Sequence, residues 1–148
     1  MPLFKRILWP VDFSAGQGPV VDWLRTLAPR HGAEVHLLHV ALDLDQCAGI
    51  YDLAPLQNDF LVAAQAKLER LRAELADLPC RQALVACGDP VEMILDYAKA
   101  QGIDLIVLAT HGRKGLEHAI LGSVAENLLR RSPVPVLTIN PHRLTDRP

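Results

Sequence analysis

The chain has 148 residues, half of them apolar and 22% charged, with 15 basic and 17 acidic side chains and a formal charge of −2. That length suits one domain; the near-neutral balance leaves no electrostatic footprint for duplex nucleic acid, and no apolar run approaches the roughly 18–20 residues that a bilayer-crossing helix needs. The opening MPLFKRILWPVDF is broken by Pro10 and Asp12 too early for a secretory signal, and Cys47, Cys80 and Cys87 lack the CxxC spacing of a zinc site or a disulfide framework, so a cytoplasmic protein without nucleic-acid or membrane partners is expected.

In chain order, the apolar pattern changes period again and again. Residues 4–11 form a short, nearly continuous apolar run, the signature of a strand buried on both faces. Val20, Val21, Leu24, Leu27 and Ala28 then recur at helical spacing, and Gly32 suits a left-handed helix stop. Residues 35–41 read as a second strand. Residues 42–57 lack a period and hold Gly49 and Pro55, so they read as an excursion able to fold over a site. Residues 58–75 are helical, with Phe60, Ala64, Leu68, Leu71 and Leu75 on one face.

Pro79 ends that helix, and residues 80–87 are a third strand. Asp89, Pro90 and Glu92 combine a capping aspartate, a first-turn proline and a glutamate three residues after the cap; the helix they open runs to about Gln101, where Gly102 closes it. Residues 103–109 are the most apolar strand. The glycine-bearing segment THGRKGLEHAILGS follows, then a helix over residues 123–131, then a last strand over residues 133–140. Strands alternating with helices imply right-handed βαβ units around a parallel sheet. The expected fold is therefore α/β: a three-layer, doubly wound, open five-stranded parallel sheet, with residues 1–141 as one domain and 142–148 as a short tail.

In such sheets ligands bind beyond the carboxyl ends of the strands, where the strand order reverses. Pro10, Val11, Asp12, Phe13 and Ser14 follow the first strand, Val40 and Ala41 close the second, and Ala109 ends the fourth. The segment after Ala109 carries Gly112, Gly115 and Gly122, and it leads into a helix whose amino end favours anions. Arg113 and Lys114 add positive charge, so a phosphate group is the natural guest. Plainer roles exist for the same residues. Ser123 and Glu126 spell an S-x-x-E capping box, Asp12 can cap backbone donors, and loop cations are commonly solvated.

Other constellations fail. Gly16 and Gly18 lack the third glycine of a dinucleotide fingerprint, since Val21 stands there. His36 and His39 lie three apart on one strand, face opposite ways and share no metal. Cys80 and Cys87, seven apart on another strand, also face opposite ways. His111 and His118 near Ser123 do not by themselves make a hydrolase.

The segment from Ala109 onward resembles the nucleotide-binding loop of the universal stress protein family. That pattern is glycine, two residues, glycine, nine residues, then glycine with serine or threonine. Gly112, residues 113–121 and Gly122 with Ser123 match its second part, while Ala109 stands at the first glycine. The resemblance extends to ILWPVDFS, LLHV and SVAENLLRRSPVPVLTI, essentially the whole chain. It implies the strand order 3-2-1-4-5, and ATP or AMP as ligand, with Mg²⁺ or Mn²⁺ accompanying a triphosphate. It also implies that Pro10, Val11, Asp12 and Val40 border the adenine and ribose, and that Ala109, Gly112, Arg113, Gly122, Ser123 and Val124 hold ribose and phosphates. A methyl group at position 109 implies weakened rather than abolished binding.

The last strand, with Pro133 and Pro135, suits a sheet edge, and the resemblance implies a homodimer through residues 134–140. The expected role is a nucleotide-binding sensor or regulator in a stress response. The rival readings are a nucleotide-free dimeric interaction module and, third, a weak ATP hydrolase.

Overall fold

A computed structural model describes residues 2–14, 17–47, 49–110 and 121–141. Its strands are β1 (Arg6–Pro10), β2 (Glu34–Ala41), β3 (Cys80–Cys87), β4 (Leu105–Ala109) and β5 (Val136–Ile139). Four helices alternate with them among the described residues: α1 (Gln17–His31), α2 (Ala54–Glu74), α3 (Pro90–Ala100) and α4 (Ser123–Arg131), with a single 3-10 turn at Leu44–Cys47 before α2. Every strand pairing is parallel and the order is β3-β2-β1-β4-β5, as expected. No helix among the described residues is long and apolar enough to cross a membrane.

Two apolar cores form because successive strand side chains point to opposite faces. Ile7, Trp9, Val35, Leu37 and Val107 pack with Leu24 of α1 and Leu68 of α2. Leu8, Leu38, Ile106 and Leu108 pack with Ile94 of α3 and Leu128 of α4 on the other face. A strand covered on both sides has no polar face to show, which is why its sequence reads as an unbroken apolar run.

Helix ends follow local chemistry. Gly32 and Gly102, both at φ +61°, end α1 and α3 in the same left-handed closure. In each, the next amide reaches back five residues, Ala33 N–H to the Ala28 carbonyl and Ile103 N–H to the Ala98 carbonyl, both at 2.9 Å. Asp89 caps α3, its Oδ1 accepting from the Glu92 amide at 3.0 Å. By contrast α2 starts four residues before the expected position, at Ala54 with no side-chain cap. Pro55 sits in its first turn, where a missing N–H costs nothing, instead of in the connecting excursion.

Two further departures concern register. Ser123 does not cap α4: Gly122 occupies the cap position with extended backbone, Ser123 is already the first helical residue, and the S-x-x-E pattern is one residue out of phase. In β3 the pairing passes from Val35 with Cys80 to His36 with Gln82, leaving Arg81 as a bulge. Cys80 therefore shares a core with Ala83 and Val85 despite the odd spacing, so counting from Cys80 to Cys87 does not fix opposite faces. At the outer edge of β3, α2 sends Gln65 Nε2 to the Ala83 carbonyl and Arg72 Nη2 to the Cys80 carbonyl, each at 3.3 Å.

His36 and His39 do face opposite ways. His36 is buried at 3% exposure against Tyr97 of α3, with Nδ1 and the phenol oxygen 2.8 Å apart. Its Nε2 lies 3.5 Å from Glu34 Oε2, within ion-pair reach but without hydrogen-bond alignment. Burial lowers the His36 pKa from 6.5, with the Glu34 carboxylate only partly opposing it. The unfolded chain thus binds this proton more readily, and the stability due to neutral His36 is complete above 6.5 and lost as pH falls through the lower folded value. Urea midpoints for the wild type and His36→Gln at about pH 7.5 and about pH 5.5 check this: the wild type loses stability on acidification, and the variant loses distinctly less.

Candidate functional site

The chain adds β2 and β3 on one side of β1, then crosses to add β4 and β5 on the other. At that reversal the flanking connections leave in opposite directions and open a space beyond the strand ends. A cavity of about 820 Å³ lies there. The strands contribute Trp9, Pro10, Leu38, His39, Val40, Leu108 and Ala109, and the residues after β1 contribute Val11, Asp12, Phe13 and Ser14. Gln57, Phe60, Ala64 and Lys67 come from α2, while Gly122, Ser123, Val124 and Ala125 come from the start of α4.

All eight described residues expected from the sequence to bind the ligand line this one cavity: Pro10, Val11, Asp12, Val40, Ala109, Gly122, Ser123 and Val124. Gly112 and Arg113 lie outside the described residues, as do Lys114, Gly115, His111, His118 and the tail 142–148.

The end of β1 is pinned hard. The Val11 amide donates to the Leu38 carbonyl at 2.8 Å, and the Val11 carbonyl meets His39 Nδ1 at 2.6 Å. A carbonyl only accepts, so Nδ1 is the protonated ring nitrogen. Asp12 Oδ1 then accepts from the Ser14 amide at 2.9 Å, closing an Asx turn. Between them Phe13 has φ +58°, alone among the described non-glycine residues in a left-handed conformation. Its ring lies 4.5 Å from the His39 ring on one side, and the Lys67 ammonium stands 5.7 Å from its centroid. Contacts from two other elements thus hold a conformation that L-residues avoid.

Across the cavity the Gly122 amide donates to the Thr110 carbonyl at 2.7 Å, which holds the two flanks of residues 111–120 together. The first-turn amides of α4 have no intrahelical acceptor and carry the positive end of the helix dipole, at about half an elementary charge. With extended backbone at Gly122, the start of α4 lines the cavity wall. Ala109 is an ordinary strand residue paired with Ile139, and the described backbone requires no glycine there. The arrangement combines a largely apolar slot, a carboxylate and a helix amino end in one cavity, and such a helix end can accept an anion. Among the described residues no group of three His, Cys, Asp or Glu side chains could hold a metal ion.

Sequence reasoning passed over Phe60, Lys67 and Gln57. Phe60 continues the helical stripe of Ala64, Leu68 and Leu71, and stripes are read as core, while Lys67 reads as a charge off that stripe. The signal that separates them is that α2 outruns the strands it covers, so the first turns of its apolar face have the cavity beside them.

The universal stress protein family model matches residues 3–140. A universal stress protein of Methanocaldococcus jannaschii is 29% identical over 154 aligned positions, covering 93% of this chain and 95% of the relative. Its solved structure superposes with a TM-score of 0.81 at 30% identity, over 93% of this chain and 96% of the other. Two more distant solved structures share the fold. A universal stress protein in complex with cAMP is 22% identical, with a TM-score of 0.65 over 93% of this chain and 98% of that one. A family member from Arabidopsis thaliana with AMP bound is 19% identical, with a TM-score of 0.62 over 92% and 91%. From the amino-terminal strand to the edge of the sheet, this chain belongs to the universal stress protein family.

Proposed function

We propose that this protein binds an adenine nucleotide, ATP or AMP, in the 820 Å³ cavity, and that occupancy sets its state as a sensor or regulator in a stress response. The observation that carries the reading is the convergence of Asp12 and Val40 on one wall with the amino end of α4 on the other. In it, the base and ribose lie against Pro10, Val11, Asp12 and Val40, and the Asp12 carboxylate accepts from sugar or base donors. The phosphates meet the first-turn amides that begin at Ser123 and Val124, with Gly122 and Ala109 beside them. A divalent ion, Mg²⁺ or Mn²⁺, enters only as the companion of a triphosphate. The relatives solved with AMP and with cAMP support an adenine nucleotide as guest in this fold. Cys80 and Cys87 are free, which suits a reducing, cytoplasmic setting.

A second proposal concerns assembly. β5 is an edge strand, apolar at Val136, Leu137 and Ile139, and an edge of this kind is either covered or paired. We infer a homodimer through residues 134–140, a reading that holds with or without nucleotide.

Three outcomes test these statements. Gly122→Val keeps a backbone conformation open to any residue but puts a branched side chain before the helix amides. Calorimetric titration should show ATP affinity falling by at least about tenfold, a change of about 1.4 kcal/mol; undiminished binding overturns the site assignment. Ala109→Gly should bind ATP more tightly, because a methyl group leaves the cavity wall. It should also lower unfolding stability by about 0.5–1 kcal/mol, the cost of glycine within a strand. Sedimentation equilibrium should give the mass of two chains, with amide exchange at Val136–Ile139 slowing as concentration rises; a monomer at all concentrations ends the dimer proposal.

A further inference from the structure

The nucleotide reading leaves one wall of the cavity unassigned, the one built by α2. Helical spacing sets Phe60, Ala63, Ala64 and Lys67 along it. Phe60 is half exposed, and the alanines between it and Lys67 leave a recess. Lys67 is the only lysine or arginine among the described residues that line the cavity. It has no carboxylate partner among them, and its ammonium rests on the Phe13 ring at 5.7 Å. An exposed cation–π contact is weaker than a charge-assisted bond to a phosphate, so an anion arriving there displaces it.

Position decides what kind of anion this is. α2 covers β2 and β3 on the face that holds Leu68, whereas α4 lies on the opposite face with Leu128. Lys67 and the amino end of α4 therefore approach the cavity from opposite faces of the sheet. Lys67 stands against Phe13, the sequence neighbour of Asp12, on the side that the nucleotide reading gives to base and ribose.

We propose that Lys67 recognises a second phosphate, carried on the ribose of an adenine nucleotide whose 5′-phosphate lies at α4. This rests on the nucleotide reading above and narrows its ligand class to nucleoside bisphosphates.

Calorimetric titrations of the full chain and of Lys67→Met with AMP, adenosine 2′,5′-bisphosphate and adenosine 3′,5′-bisphosphate test the proposal, the two bisphosphates identifying the hydroxyl that bears the phosphate. One bisphosphate should bind the wild type at least about tenfold more tightly than AMP. Lys67→Met should erase that advantage, bringing the ratio of bisphosphate to AMP affinity down to about one, and Lys67→Arg should restore it in part. Lys67 is exposed, and an unchanged thermal midpoint verifies that the variants are folded. If AMP binds and neither bisphosphate gains, or if the gain survives in Lys67→Met, the second-phosphate site is overturned and the nucleotide reading stands. If AMP also fails to bind the wild type, both fall together.

Discussion

The crossing from β3 back over β1 to β4 is the constraint on which the rest depends. Right-handed connections on either side of β1 place α1 and α2 on one face of the sheet and α3 and α4 on the other. Two layers that diverge from a common line leave a crevice at one end of the sheet only, beyond the carboxyl ends of the strands. The apolar cores stabilise the layers; the crevice follows from the topology. The cavity is lined by strand ends, by the segment after β1, by one face of α2 and by the start of α4.

Within that frame the segment after β1 has the most determined geometry. His39 holds the Val11 carbonyl, Asp12 closes its turn on Ser14, and Phe13 is held left-handed between an imidazole and an ammonium. Such a conformation costs of order 1–3 kcal/mol and persists only where neighbours over-determine it. Here the neighbours come from β2 and α2, so the orientation of Asp12 depends on elements distant in sequence. The opposite wall is simpler: a helix start, a glycine without a side chain and a backbone bond from Gly122 to Thr110.

Much of this was legible in the sequence, for physical reasons. Strands buried on both faces must be apolar throughout, so residues 4–11 and 103–109 stood out, and Gly32 and Gly102 marked helix ends because few other residues accept a left-handed backbone. Asp89 and Pro90 marked a start because capping is local chemistry. What escaped notice was either non-local or degenerate. The early start of α2 has an apolar residue, Leu53, at its cap position, and the bulge at Arg81 leaves no trace in composition. Ser123 and Gly122 are both acceptable cap residues, and only the backbone decides between them. The left-handed Phe13 depends on partners 26 and 54 residues away along the chain, beyond any window of local pattern.

The two borders of the sheet are chemically unequal. On β3, Gln65 and Arg72 already occupy the Ala83 and Cys80 carbonyls, so an incoming strand finds acceptors taken and a cation in its path. Among the described residues, no side chain hydrogen-bonds to the backbone of Val136–Ile139. A molecule receptive along one border only can join a twin across a twofold axis, and there growth stops. Blunting the β3 border thereby separates finite pairing from open-ended ribbon formation, the hazard that exposed strands otherwise carry.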